Sequence, residues 1–514
     1  MRDPYLFKDM EKVIDRIEEA ISHQERILIF GDYDVDGITS TALLFSLLRE
    51  FSSDLYYYIP QRGEEGYGLS EKVIDLAREN GFTLIITVDC GINSVLEIEK
   101  ARNYGIEVIV VDHHKPPEEM PAALGIINPK YEDGYPFKEL AGVGVCFKLA
   151  QALGLREKKD PRDLYNFLDY VVLGTIADAV PFLDENRILI REGLKVLNQT
   201  PREGLKALIS ESGIEGRDLK VKEVNFALAP RLNAAGRLGD PQLALELLLA
   251  DSPFKAQYLA KKLNEINRFR QDLSNNILEE ARRLAFKQIK EENNKILVLS
   301  SEDWNQGLVG IIASRLVEEF NRPAIVISKK EGIGKGSGRS IKGFSLYEVI
   351  QSCQDVLINY GGHKYAVGFT IEANRISQFK AKINAISSLY LKDNDLTLKL
   401  EVDAPLSLNE INLDLIKEIN TLEPFGVGNP QPIFCSYNNK IVDWRMVGGS
   451  KEHLKLKIIE KNKVFDGIGF GLGKEMNLMI RKKEMADLAF NLEMNKWQGR
   501  ENIQLNIKDL KNIF

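Results

Sequence analysis

Residues 26–30, RILIF, run directly into residues 31–37, GDYDVDG, and this junction decides the fold. The apolar run is short, β-branched and uninterrupted, as a strand covered on both faces must be. It stops at Asp32, Asp34 and Asp36, a residue type that strands avoid and that is costly to bury unpaired. The junction recurs twice. Residues 84–88 (LIITV) meet Asp89, and residues 108–111 (VIVV) meet Asp112, His113 and His114. In an open parallel sheet, ligands bind beyond the carboxyl ends of the strands. Three such ends side by side would gather all seven side chains in one crevice, where so many acids need a cation to hold them.

Outward from these junctions, strand and helix alternate. Helices are predicted over 38–50, from Ser70 to Gly81 and over 94–104, with a short strand over 56–60. Repeated alternation of this kind predicts an α/β fold with a doubly wound parallel sheet. Buried helices over 140–153 and 164–174 continue it, and the second ends near Asp178, a further acid for the crevice. Residues 186–250 are Leu-rich and helical, broken by Pro201, Pro230 and Pro241. Ser252 and Pro253 then start one helix that keeps its apolar period to about Lys290. At 1.5 Å per residue it is roughly 55 Å long, enough to join two lobes across a cleft.

A second, smaller α/β unit follows, with strands over 295–300 and 323–327 and a helix over 309–320. The Gly-rich stretch 332–340 and a helix over 346–360 lead to Gly361, Gly362 and His363. Beyond residue 390, short strands over 397–402, 433–435, 441–447, 454–459, 464–469, 486–493 and 503–507 predict an OB-like β-barrel, with a rigid turn over 423–430. The expected division is 1–190, 191–292, 293–392 and 393–514.

The 514 residues are 44% hydrophobic and 28% charged, an ordinary globular balance. Cys90, Cys146, Cys353 and Cys435 form no CxxC pair, which argues against a zinc ribbon or a disulfide framework. With no apolar leader and no apolar run of membrane-spanning length, a soluble cytoplasmic protein is expected. The net charge of −7 does not exclude a nucleic-acid partner. Residues 440–514 hold 15 Lys and Arg against 10 Asp and Glu, so that segment is +5 and the remainder −12.

Carboxylates with imidazole suit Mn²⁺ or Mg²⁺. The DxDxDG run lacks the twelfth-position Glu of a calcium loop, because Ala42 or Leu43 falls there. The stretch 332–340 does not spell a nucleotide-hydrolysing P-loop. Acids that merely cap helices would account for one of these positions, not for all three strand ends. A carboxylate shared by two ions about 3.5–4 Å apart is an arrangement for in-line attack on phosphorus.

These motifs carry a resemblance. GDYDVDGITS (31–40), TVDCG (87–91), DHH (112–114) and GTIAD (174–178) resemble motifs I to IV of the DHH phosphoesterase superfamily. GKGSGRSIKGFSL and GGHKYAVGF (361–369) resemble its partner DHHA1 domain. NFALAPRLNAAGRL (225–238) and LEPFGVGNPQPIF (422–434) resemble one branch, the RecJ family of 5′→3′ single-strand exonucleases.

The resemblance implies catalytic residues Asp32, Asp34, Asp36, Asp89, Asp112, His113, His114 and Asp178. Asp34 and Asp89 would hold one Mn²⁺ with Asp32 nearby. Asp36, Asp89, His113 and Asp178 would hold the other, and Mg²⁺ is the alternative ion. Asp112 would orient His113 and fix its tautomer. His114 would touch the scissile phosphate, and Arg339, Ser340, Gly361, Gly362 and His363 would meet phosphates from the opposite lobe. Family members often begin earlier than this chain's Met1 and carry more after the barrel, yet no ligand position is lost.

Other contacts stay open at the level of sequence. Consecutive glycines before His363 could form an anion nest, or His363 could be a turn residue. Lys335 and Arg339 favour phosphate over a bare surface hairpin. Arg231, Asn233 and Arg237 suit either substrate or structural pairs. Tyr67, Phe344, Tyr347, Phe425 and Trp497 suit core packing better than base stacking, and Trp304 suits a loop anchor.

The expected partner is single-stranded DNA, with a single-strand-binding protein and a helicase as further partners, no membrane, and a monomeric state. Two rivals remain: a phosphodiesterase of the same superfamily acting on short oligoribonucleotides or cyclic dinucleotides, and an inactive replication scaffold.

Overall fold

The computed structural model describes residues 1–61, 65–66, 68–131, 134–449, 451–461, 463–473, 485–497 and 500–513. Packing divides it into two bodies, Met1–Val180 with Asp184–Leu398, and Pro181–Leu183 with Lys399–Phe514. No helix among the described residues is long and apolar enough to cross a membrane.

In the first body, β1 (Ile27–Gly31), β2 (Leu55–Tyr58), β3 (Leu84–Val88), β4 (Glu107–Val111) and β5 (Gly125–Ile127) form a parallel sheet of order 2-1-3-4-5. Both faces are covered, as the unbroken apolar runs require. Leu28, Phe30, Ile85, Val108 and Val110 pack with Val73, Ile74, Ile98 and Ala101 of the helices Glu71–Glu79 and Val95–Asn103. The helices Val35–Leu48 and Gly142–Arg156 pack on each other and on the sheet. Strand order reverses between β1 and β3, and such switch points open a crevice at the strands' carboxyl ends.

The connecting helix runs Pro253–Glu291, and Ser252 caps it by accepting from the Lys255 amide. Pro230 does not break its segment. It sits in the first turn of the helix Ala229–Leu238, where its missing N–H is tolerated, after a π-helical turn over Val224–Leu228.

A second sheet in this body has the order β6 (Leu297–Ser301), β7 (Ala324–Lys330), β8 (Ile333–Arg339), β10 (Ala366–Glu372), β9 (Asn359–His363). The Gly-rich stretch is therefore an inner strand. A Cβ at Gly336 would strike the Phe369 ring, and one at Gly338 would lie 2.7 Å from Leu346 and Val367. The even-numbered glycines leave room for that core, while Lys335, Ser337 and Arg339 occupy the other face of β8. The helix predicted over 346–360 stops at Gln351, and its end is the edge strand β9.

The second body is a closed barrel of β12 (Phe434–Val447), β13 (His453–Glu460), β14 (Lys463–Gly469), β16 (Arg500–Ile513) and β15 (Met485–Trp497), with β15 pairing back to β12. The strands expected over 433–435 and 441–447 are one bulged strand. The strand expected over 397–402 is absent. Only Ala404 and Pro405 pair with β12, as the short β11, and Leu398, Leu400 and Val402 are exposed. Sequence reading also missed the helix Leu413–Asn420, whose cap is the Asn412 side chain accepting from the Leu415 amide.

Candidate metal centre

Strand register assembles the site. Gly31 pairs with Val88, and Val88 pairs with Val111, so the next residues, Asp32, Asp89 and Asp112, emerge level from three adjacent strands. Asp89 takes a left-handed φ of 59°, a strained conformation for a non-glycine residue at a strand end. The Val35–Leu48 helix starts three residues earlier than predicted. Asp34 caps it, Oδ1 accepting from the amides of Asp36 at 2.9 Å and Gly37 at 3.1 Å. Asp36 lies in its first turn, 1% exposed. Its oxygens accept from the amides of Gly142 (2.6 Å) and Val143 (2.8 Å), the N-terminus of another helix.

Three overlapping donor groups result: Asp32, Asp34 and Asp89; Asp36, His113 and Asp178; and Asp89, His113 and His114. His113 Nε2 lies 3.2 Å from Asp89 Oδ1, 3.7 Å from Asp178 Oδ2 and 3.9 Å from Asp36 Oδ2. Burial, then the charge of Asp34, pushes the Asp36 carboxyl up to about 7. Burial and the surrounding carboxylates push Asp89 and Asp178 well above the ordinary range. Burial and the charge of His114 hold His113 down to about 3, so its imidazole is neutral and offers a lone pair. Among the described residues, the only basic side chain within 4.0 Å of the Asp36 and Asp178 carboxylates is the neutral His113, so no ion pair offsets their charge. A set of hard oxygens around one neutral imidazole, short of positive charge, fits divalent ions such as Mn²⁺ or Mg²⁺.

Asp112 serves a different partner from the one expected. Its Oδ1 accepts from His114 Nδ1 at 2.8 Å and from the amides of His113 and His114. Its Oδ2 accepts from the Ile92 amide. It therefore orients the His114 ring and touches only the backbone of His113. Burial alone would lower the His114 pKa, but the Asp112 hydrogen bond and charge outweigh it and raise it. Asn128, 2% exposed, ties the next loop to this motif through the His114 carbonyl.

From the second sheet, His363 stands on edge strand β9, lowered by burial and by the charges of His114, Lys130 and Lys115. Gly361 and Gly362 are strand residues paired with β10, so the expected nest is not formed there. Arg339 donates to Ser337 Oγ and the Gly338 carbonyl, and Ser340 donates to the Phe344 carbonyl. Lys335 is turned to Thr370. Arg231 bonds Asn264 and the Ala227 carbonyl, and Arg237 bonds the Gly307 carbonyl. Asn233 is half-buried on the same helix. A Cβ at Gly236 would lie 2.6 Å from the Tyr33 carbonyl, so this helix rests on the acidic turn itself.

Sequence reading missed the Gly142 and Val143 amides and the approach of Lys130. The first left a trace, since GVGV opens a buried helix with two small residues. Phe344 and Phe425 are core residues, and Trp304 anchors its loop through Glu280. Tyr67 and the Trp497 side chain lie outside the described residues.

Three family profiles match: the DHH family N-terminal domain over 26–175, the DHHA1 domain over 293–388 and the RecJ OB domain over 402–509. The single-stranded-DNA-specific exonuclease RecJ of Haemophilus influenzae is 35% identical over 524 residues, covering 98% of this chain and 91% of that protein.

The chain belongs to the RecJ family.

The RecJ of Bacillus subtilis is 41% identical over 510 residues, 99% of this chain, but the chain spans only 64% of that relative's length. Among solved structures, RecJ from Thermus thermophilus in complex with Mn²⁺ superposes with a TM-score of 0.85, at 32% identity, over 99% of this chain and 73% of that one. The same enzyme with Mg²⁺ gives 0.79, at 30% identity, over 98% and 70%. The fold expected for a RecJ family member, two α/β units and a closed OB barrel, is the fold observed.

Proposed function

We propose that this chain is a single-stranded-DNA-specific exonuclease that works 5′→3′, hydrolyses phosphodiester bonds at two divalent ions, and releases mononucleotides in DNA repair and recombination. The observation that carries the reading is the complete donor set in a chain of the RecJ family, with Asp89 and His113 each shared between groups. A filled set also disfavours an inactive scaffold.

In this reading Asp32, Asp34 and Asp89 hold one ion, and Asp36, Asp89, His113 and Asp178 hold the other, with Mn²⁺ preferred over Mg²⁺. Ions bound there supply a water of lowered pKa and positive charge for the phosphoryl oxygens. The Gly142 and Val143 amides fix the Asp36 carboxylate so that it need not reorganise. Asp112 accepts from His114 Nδ1 and raises the pKa of the ring, which favours the imidazolium, and in that form Nε2–H donates to the scissile phosphate. His363 and Arg339 face the strand's phosphates from the second sheet. The barrel, taken as residues 393–514, grips the strand without sequence preference, which makes binding salt-sensitive. The remaining divisions are 1–190, 191–292 and 293–392. A monomer in the cytoplasm, meeting single-strand-binding protein and a helicase, completes the proposal.

Digestion of end-labelled single-stranded and duplex DNA and RNA, with Mn²⁺ or Mg²⁺, tests it. Mononucleotides appearing first from the 5′ end of single-stranded DNA are expected. Equal digestion of a duplex, or hydrolysis of dinucleotides only, would refute it.

A further inference from the structure

A fourth strand ends at the same crevice, and it leads to a cation. Val111 pairs with Ile127 of β5, and the Asp112 amide donates to the Ile127 carbonyl at 3.0 Å, so Asn128 emerges level with Asp112. Two places on is Lys130, just as Asp34 lies two past Asp32 and His114 two past Asp112. Local chemistry fixes that position. Pro129 presets the backbone for a turn, which closes with the Tyr131 amide donating to the Asn128 carbonyl at 3.1 Å. The Asn128 side chain then works in both directions. Its Oδ1 accepts from the Lys130 amide at 2.8 Å, and its Nδ2 donates to the His114 carbonyl at 2.9 Å. The turn that carries Lys130 is thus bonded from below to the histidine motif.

Lys130 is half-buried. Burial dominates the titration of Asp178, His113 and His363, but all three also feel the charge of Lys130. They stand on three different elements: the end of the helix Leu168–Ala177, the turn after β4, and edge strand β9. Among the described residues, the Lys130 ammonium has neither a hydrogen-bond partner nor a carboxylate at ion-pair distance. A lysine serving only the fold, this close to a ring of acids, would pair with one of them. The charge balance calls for a cation here. The proposed set brings five carboxylates, Asp32, Asp34, Asp36, Asp89 and Asp178, to two divalent ions, so the loaded centre is still anionic when it meets a phosphodiester.

We infer that Lys130 is a further catalytic residue, whose ammonium donates a hydrogen bond to a non-bridging oxygen of the scissile phosphate. This rests on the function proposed above and adds a residue to it. As the water oxygen bonds to phosphorus, the ester P–O bond breaks and its electron pair leaves on the ester oxygen. That oxygen takes up a proton, and the attacking water gives one up. Lys130 keeps its own proton throughout. It meets charge that grows on the non-bridging oxygens, so its contact strengthens in the transition state.

Digestion of a 5′-labelled single-stranded oligonucleotide by the full chain with Mn²⁺ tests this, with Mn²⁺ binding measured in parallel by calorimetry. Lys130→Gln should lower kcat by about 100-fold and leave KM within about threefold, the split expected of a contact made mainly in the transition state. Lys130→Arg keeps the charge and should recover at least about tenfold of that loss. Mn²⁺ should bind Lys130→Gln as tightly as the unsubstituted chain or more so, because a repelling charge beside Asp178 and His113 is gone. A lysine that only supports the fold would instead lower rate, Mn²⁺ affinity and Tm together. That joint loss, a kcat within about threefold of the unsubstituted chain, or no recovery in Lys130→Arg would overturn the inference. Each of these leaves digestion by the unsubstituted chain, and so the proposed function, standing. Failure of the unsubstituted chain to digest single strands would sink that function instead.

Discussion

Asp112 Oδ1 and His114 Nδ1 are 2.8 Å apart, and the same oxygen also accepts two backbone amides. One carboxylate thereby sets both the direction and the charge of the ring at the mouth of the site. Asp112 itself is held low, at about 2: burial alone would raise it, but the hydrogen bond and charge of His114 outweigh that. Replacing Asp112 with Asn should cut kcat by about 10–100-fold, the usual loss for a supporting partner. The sign for pH follows from the raised His114 pKa. The protonated ring persists below that raised value and is lost as pH rises through it. The alkaline limb of the pH–rate profile should therefore move to lower pH in Asp112→Asn, while Mn²⁺ affinity changes little.

The crowded carboxylates predict a pH dependence for the ion-free protein. Asp36, Asp89 and Asp178 all have raised folded-state pKa values. Their contribution is complete below the ordinary carboxyl pKa and is lost as pH rises through the folded values, near 7 for Asp36. In EDTA, Tm should fall from pH 5 to pH 8, and Asp89→Asn should flatten that fall. Saturating Mn²⁺ should restore stability by about 4 kcal/mol at a thousand times Kd, and only in the chain that keeps Asp89. Thermal denaturation across that pH range, with and without Mn²⁺, is the measurement.

Gly142 is where backbone meets ligand. A Cβ there would lie 2.5 Å from Asp89 Oδ1 and 2.8 Å from Asp89 Cβ. Gly142→Ala should displace the shared carboxylate, weaken Mn²⁺ binding by about 10–100-fold and cost about 1–3 kcal/mol of stability. Calorimetric titration with Mn²⁺ and denaturant unfolding would check the two effects separately.

Away from the site, Lys148 and Glu185 form a fully buried ion pair at 2.6 Å, with Tyr135 also bonded to Glu185. Lys148→Met leaves the buried Glu185 carboxylate with only the more distant Arg2 guanidinium, at 3.7 Å, and should cost about 3 kcal/mol, the low end for breaking a buried pair. Adding Glu185→Leu should recover part of that loss, which a double-mutant cycle in urea would measure.

What sequence made legible follows from how local each cause is. The three strand ends were readable because β-branched runs and terminal acids are adjacent in the chain, and register then brings Asp32, Asp89 and Asp112 level. The partner of Asp112 was not readable. Its carboxylate precedes both His113 and His114, and only the folded turn selects the second ring. The glycines of β8 looked like a loop because glycine favours none, yet the space they leave is filled by Phe369 from a strand about thirty residues on. Residues 397–402 alternate like a strand but find no ladder, and a pattern of side chains cannot supply a hydrogen-bonding neighbour.

The central claim is that Asp32, Asp34, Asp36, Asp89, His113 and Asp178 hold two ions that share Asp89. Electron paramagnetic resonance of the purified chain titrated with Mn²⁺ measures this directly. Two bound ions per chain are expected, with the spin-coupled signal of a closely spaced pair, and loss of that signal in Asp89→Ala. A single isolated ion, or a coupled pair that persists in Asp89→Ala, would contradict it.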